Sequence, residues 1–186
     1  MKRHALLAGL LACSITAVSA QAPRLTVDRG WPRPLPNNWS VGPVSGIAVD
    51  ARDHIWIVHR AEAVKQGTPA PPVIEFNPDG SVAQAWRSSG PWPDQVHGIS
   101  IDHHDRVWIS GNGPADTQLL VFARDGTFLR RIGRPGQTPD SNDTANVGRA
   151  TQMRFDPPAN EVFVSDGENG NRRVVVFDSE TGAYKR

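Results

Sequence analysis

What most constrains this chain is a repeat. Three segments can be laid beside one another: Val44-Ser45-Gly46-Ile47-Ala48-Val49-Asp50, Val96-His97-Gly98-Ile99-Ser100-Ile101-Asp102 and Ala150-Thr151-Gln152-Met153-Arg154-Phe155-Asp156. Each is an alternating apolar stretch that ends in Asp, and the Asp-to-Asp spacings are 52 and 54 residues. A second apolar run follows each: Ile55-Trp56-Ile57, Val107-Trp108-Ile109 and Val162-Phe163-Val164. Two further runs complete each unit, separated by Asn77-Pro78-Asp79-Gly80, Arg124-Asp125-Gly126 and Ser179-Glu180-Thr181-Gly182. Gly in such a tight turn accepts the positive φ that the hairpin needs. Four short strands per ~50 residues is the pattern of a β-propeller blade. A generic antiparallel sandwich also has many short strands, but it gives no reason for Trp56 to match Trp108 in register. The expected fold is all-β, with blades of four antiparallel strands.

Residues 44–186 hold about three such units at ~50 residues each, whereas closed propellers have roughly 4–8 blades. The remaining blades, or a second copy, are therefore expected to complete the ring. The 17 Gly and 16 Pro punctuate the chain too often for a long-helix bundle. Five prolines, from Pro23 to Pro43, make residues 23–43 an extended lead-in.

Residues 1–22 read as an export signal. Met1-Lys2-Arg3-His4 is a basic start, Ala5 to Val18 is apolar, and Val18-Ser19-Ala20 or Ala20-Gln21-Ala22 offers a cleavage site. The run is too short for a membrane span, so no transmembrane segment is expected, and the product is secreted or periplasmic. Leu10-Leu11-Ala12-Cys13 loosely fits a lipoprotein box, which leaves a lipid anchor through Cys13 as the alternative. Cys13 is the only cysteine, so the exported part has no disulfide and no thiolate chemistry. The net charge of +1 becomes −1 once Lys2 and Arg3 are removed. That balance gives no footprint for nucleic acid.

The third unit, Val164-Ser165-Asp166-Gly167-Glu168-Asn169-Gly170-Asn171-Arg172-Arg173-Val174-Val175-Val176-Phe177-Asp178, resembles the NHL repeat. Residues 44–186 are similar to the N-terminal half of the lyase domain of peptidylglycine α-amidating enzymes. The resemblance is carried by Gly46-Ile47-Ala48-Val49-Asp50, Ile57-Val58-His59-Arg60, Val96-His97-Gly98-Ile99-Ser100-Ile101-Asp102 and Ser165-Asp166-Gly167. It implies a six-bladed NHL propeller with zinc at the top of the channel and calcium deeper in it. By that resemblance His97 matches a zinc histidine and Arg60 the catalytic arginine. The carbonyls of Ile47 and Ile99 match calcium ligands. Imidazole suits zinc, a fixed guanidinium suits a developing negative charge, and carbonyl oxygen suits calcium.

The chain also departs from the family. Glu168 occupies the place of the family's catalytic tyrosine, where it could accept a proton or ligate a metal. The family's disulfide positions fall at Gly148 and Asn169, and its other zinc histidines and acidic calcium ligand fall beyond Arg186.

Several residues have plainer readings. A lone strand histidine is often packed or hydrogen-bonded, and Arg60 could be an inter-blade ion pair. Asp50, Asp102 and Asp156 repeat at a strand-to-turn junction, so they are expected to accept turn N–H groups. His103-His104 reads as an exposed turn, on the ground that adjacent strand residues face opposite ways. Residues 133–149 read as a long connecting loop of the kind that carries recognition.

Two functions follow. One is a binding module that holds a small molecule or peptide at the channel mouth. The other is a metal-dependent peptidyl-α-hydroxyglycine lyase-like enzyme.

Overall fold

The computed structural model describes residues 22, 24–137, 139–168 and 170–186. The expected export segment lies outside these residues except for Ala22, as does the matched position Asn169. Among the described residues, no helix is long and apolar enough to cross a membrane.

After a short 3₁₀ turn, β1 (Trp39–Ser40) leads into β2 (Val44–Val49) and β3 (Ile55–His59). β4 (Thr68–Pro69) lies parallel to β1 and fixes the lead-in. β5 (Val73–Phe76) and β6 (Val82–Trp86) complete a first blade in the order β2-β3-β5-β6. The second blade is β7 (Val96–Ile101), β8 (Val107–Gly111), β9 (Gln118–Phe122) and β10 (Phe128–Gly133). The third is β11 (Ala150–Asp156), β12 (Glu161–Asp166) and β13 (Arg173–Asp178). Tyr184 bridges to Phe177, and Lys185 N–H donates to the Val176 carbonyl at 2.9 Å, so the last residues start a fourth strand. The antiparallel four-strand blades expected from the repeat are present.

The hairpin glycines do what the turn chemistry requires. Gly80, Gly126 and Gly182 all have positive φ, at 84, 89 and 78°. In the inner strands, glycine serves close approach instead. A Cβ at Gly98 would stand 2.5 Å from the Thr151 carbonyl oxygen, and one at Gly46 would stand 2.8 Å from that of His97. The first strands of neighbouring blades therefore meet backbone to backbone. Ser100 Oγ reinforces one joint by donating to the Met153 carbonyl at 3.0 Å.

Apolar side chains fill the layers between blades. Trp56, Val58, Val73 and Trp86 of the first blade meet Ile99, Ile109 and Phe122 of the second. Trp108, Leu119 and Val121 of the second meet Met153, Val162 and Phe177 of the third. Burying one such side chain is worth about 1.5–3 kcal/mol, so these joints are the main source of cohesion. The lead-in turns at residues 29–30 and again in the 3₁₀ turn Pro36–Asn38, and its large side chains are packed down. Trp31, Leu35 and Trp39 pack on the outer face of the first blade, and Trp31 sits 5.4 Å from the Phe76 ring.

The junction aspartates are built as expected at two of three positions. Asp50 Oδ1 accepts from the Arg52 and His54 N–H groups, and Oδ2 accepts from the Trp56 indole at 3.2 Å. Asp102 repeats this with His104, Arg106 and Trp108. Burial pushes the Asp50 carboxyl up, but these bonds outweigh it and hold the group below its ordinary value. Asp156 departs from the pattern and is exposed. Its second following residue is Pro158, which has no N–H to give, and Phe163, opposite Arg154 in the register place of the tryptophan, has no indole to donate.

Candidate functional site at the channel mouth

The same ladder irregularity opens every blade. The register shifts between Val44 and Gly46, between Val96 and Gly98, and between Ala150 and Gln152. Ser45, His97 and Thr151 therefore occupy equivalent bulged positions at one end of the inner strands. The second strands end at that same mouth, because Val44 faces His59, Val96 faces Gly111 and Ala150 faces Asp166. The residues that follow these ends are Arg60, Asn112 and the Gly167-Glu168 pair. Three blades thus deliver His97, Arg60, Asn112 and Glu168 to one rim.

His97 Nε2 stands 3.5 Å from Glu168 Oε1 across the joint between the second and third blades. Its Nδ1 is buried and has no hydrogen-bond partner among the described residues. Arg60 donates from Nη2 to Asn112 Oδ1 at 3.3 Å, joining the first two blades, while its Nε is buried without a partner among the described residues. Arg60 is therefore an inter-blade hydrogen-bond donor among the described residues.

Its backbone is held by N–H donation to the Pro43 carbonyl at 3.0 Å and by the neighbouring His59. That imidazole is fully buried; Nδ1 accepts from Gly42 N–H at 3.2 Å, which leaves the Nε2 proton for the Pro71 carbonyl at 3.0 Å. Burial lowers the His59 pKa below the usual histidine value, outweighing the Pro71 bond. A neutral buried histidine thus clips the segment that presents Arg60.

A cavity of about 390 Å³ runs beside the inner strands and is bordered by Ser45, Ile47, Gly98, Ile99 and Thr151. Ile47 and Ile99 hold the same register position, opposite Ile57 and Ile109. No carboxylate lines this cavity or the next one along the strands. Calcium takes about 6–8 oxygen ligands, usually including carboxylates. The carbonyls of Ile47 and Ile99 alone do not make such a site.

The zinc expectation fares better at the mouth. Two ligands about 2.0–2.1 Å from a tetrahedral ion stand roughly 3.3–3.4 Å apart, close to the His97–Glu168 separation of 3.5 Å.

Known proteins resemble this chain. NHL repeat-containing protein 3 of Mus musculus is 24% identical over 161 residues, covering 85% of this chain and 44% of that protein. Peptidylglycine alpha-amidating monooxygenase of Rattus norvegicus is 27% identical over 159 residues, covering 77% of this chain and 16% of that protein. The chain is a homologue of NHL-repeat proteins. Its propeller is related to the amidating enzymes, as the resemblance of residues 44–186 implied. The match spans less than half the length of these relatives. No family model matches the sequence. Virginiamycin B lyase from Staphylococcus aureus aligns at 19% identity and a TM-score of 0.46, over 73% of this chain and 38% of that one.

Elsewhere among the described residues, two groups of side chains have metal-like composition. Asp50, His54 and Glu75 already surround a cation, the Arg124 guanidinium, which reaches Asp50 at 3.0 Å and also pairs with Glu75. His103, His104 and Glu180 are near the opposite end of the strands, and Glu180 is held in a two-pronged pair by Arg106 at 2.6 and 2.9 Å. His103 and His104 lie in a turn as expected, but not on opposite faces: their rings are 4.0 Å apart.

Sequence reasoning did not single out Asn112, Arg124 or the buried Asp116. Asp116 accepts from the Asp94, Gln95 and Gly113 N–H groups and so shapes the approach to β7. Asn112 was open to discovery, because it occupies the repeat position of Arg60. Asp166 is likewise a scaffold residue: it binds Gly148 N–H, Asn171 and Arg173. It thereby ties the loop of residues 133–149 to the third blade.

Proposed function

We propose that this is an exported NHL-type propeller module whose channel mouth binds a small molecule or peptide through an anionic group. What supports the reading is that the pairs Arg60–Asn112 and His97–Glu168 sit at equivalent strand ends on one rim, with buried nitrogens on Arg60 and His97 unpartnered among the described residues. A buried polar group without a partner costs about 1–3 kcal/mol, so a ligand that supplies one is favoured. Arg60 is the anion partner, since its planar fork can take a carboxylate on two bonds, and Asn112 orients it. His97 and Glu168 are the residues that would hold zinc. Zinc, when bound, supplies a Lewis acid beside the anion site. Glu168 Oε1 is the group there that can accept a proton when no metal is bound.

The second reading is a metal-dependent peptidyl-α-hydroxyglycine lyase-like activity. It is favoured by the similarity to the rat amidating enzyme and by the places of His97 and Arg60. It is weakened by Glu168, which offers no phenol.

Calorimetry with short peptides tests the main reading. A peptide with a free C-terminal carboxylate is expected to bind at least tenfold more tightly than its amide, and Arg60→Ala should erase the difference. Equal affinity for the two peptides would sink it. Zn²⁺ is expected to bind weakly, because two protein ligands fall short of the usual three or four, and His97→Ala should abolish that binding. Cleavage of an α-hydroxyglycine peptide, lost in Arg60→Ala, would establish the second reading instead. Export rests on residues 1–22, and a recovered product with Met1 intact would reject it.

A further inference from the structure

Each blade presents its rim residue on a connection that a buried group clips. His59 holds the segment of Arg60, and Asp116 holds the segment of Asn112 by accepting from three N–H groups. The third blade is entered differently. Its incoming connection spans residues 134–149, against 87–95 for the one that enters the second blade. No strand forms in the longer connection among the described residues, so its backbone carbonyls need donors from elsewhere.

One side chain supplies them. Arg173 donates from Nη1 to the Ser141 carbonyl at 3.1 Å and to the Asp143 carbonyl, and from Nη2 to the Asn146 carbonyl at 2.8 Å. Its Nε donates to Asp166 Oδ2 at 2.8 Å, and the Asp166 side chain is fully buried. Three carbonyls and a carboxylate form the kind of oxygen set that suits a hard metal ion; here the chain's own guanidinium fills it. The planar fork allows this, because it directs several donors at once where an ammonium is a point charge.

The same ion pair anchors the chain on both sides of Glu168. Asp166 stands two residues before it, and Asp166 Oδ1 accepts from the Gly148 N–H of the loop. Asn171 stands three residues after it. Asn171 Nδ2 donates to Asp166 Oδ2 at 2.8 Å, and its carbonyl accepts from Ser141 Oγ. The pairings Val58–Val73, Ser110–Leu119 and Ser165–Val174 put Pro72, Gln118 and Arg173 in one register place, one residue earlier. Neither of the other two blades has a cation there, so the device belongs to the third blade.

We infer that Arg173 is the positioning residue of the third-blade rim. Glu168 stands 3.5 Å from His97 because the Arg173 guanidinium laces residues 141–148 to the connection that carries Glu168. On the reading of this rim as a binding site, Arg173 does for Glu168 what His59 does for Arg60. The difference is that a charged hub replaces a neutral one. Charge-assisted hydrogen bonds are stronger than neutral ones, which suits a longer connection with fewer backbone bonds of its own. Without the fork, the loop loosens and Glu168 leaves His97 together.

The test uses the whole chain without metal or peptide, so its outcome is separate from whether the rim binds a ligand. Nuclear magnetic resonance of the His97 ring reads its neighbour. Glu168→Gln is expected to shift the ring signals in the wild-type background and to leave them in place in Arg173→Lys. Lysine keeps a positive charge beside buried Asp166, so the third blade should still fold, but it lacks the fork. In that variant an Asp-specific protease should cut before Asp140 and Asp143 at least tenfold faster, because local opening exposes the loop. In Arg173→Ala, millimolar guanidinium, too dilute to denature, should restore both readouts, and urea at the same strength should not. Should Arg173→Ala fail to fold, Arg173→Lys decides alone. A Glu168→Gln shift of equal size in the wild type and Arg173→Lys would overturn the inference, even with the loop loosened. Unchanged loop cleavage, or a folded Arg173→Ala that guanidinium does not restore, would overturn it as well.

Discussion

At the scale of single residues, the mouth depends on His59 as much as on the side chains it helps to present. Its ring must stay neutral to accept from Gly42 and donate to Pro71. Because burial lowers its pKa from 6.5, the unfolded chain takes up a proton near that pH before the folded chain does. The contribution to stability is therefore complete above pH 6.5 and is lost as pH falls below it, until folded His59 is itself protonated. One proton corresponds to at most about 1.4 kcal/mol per pH unit. The lowered carboxyls of Asp50, Asp79 and Glu180 act in the same direction, but only near and below their ordinary values of 3.8 and 4.5. Urea unfolding between pH 7.5 and 5 should show stability falling with pH, and His59→Gln, which retains a donor toward Pro71, should flatten that slope. An unchanged slope in the variant would count against the neutral clip.

At the scale of elements, what the sequence showed and what it hid have different physical causes. Strand pairs and hairpins were legible because alternation and Asp-Gly turns are local. The roles of Asp50 and Asp102 were legible because the donors to them lie within six residues, and Asp156 fails for an equally local reason at Pro158. The approach of blade to blade was not legible. It depends on Gly46 and Gly98, whose missing side chains matter only once a neighbouring strand is in place. Asn112 escaped notice for a similar reason, since its partner Arg60 lies 52 residues away. His97 and Glu168 were visible only through the resemblance, and the structure puts them side by side. Gly98→Ala tests the close approach. Its Cβ would press on backbone at Thr151 and also on Ser110 Oγ at 2.6 Å, so a loss of about 1–3 kcal/mol is expected from overpacking. Gly90→Ala, with no contact nearer than 3.5 Å and no positive φ, is the control and should change stability by under about 0.5 kcal/mol. Equal effects in thermal melts would show that the inner strands do not need glycine at this joint.

At the scale of the whole molecule, the arc behaves as a row of units, each stabilised by its neighbours. The second blade has a blade on either side, and every residue of β8 and β9 is buried. The first blade is covered on its outer strands by the lead-in, but its inner strand β2 is exposed or half-buried throughout. Opening free energies should therefore grade along the row, because local opening costs least where fewest apolar contacts are broken. Amide exchange is expected to be slowest in residues 107–111 and 118–122 and fastest among the strands in residues 44–49. Equal exchange across residues 44–49, 107–111 and 118–122 would show that the blades open together as one unit and not one after another along the row.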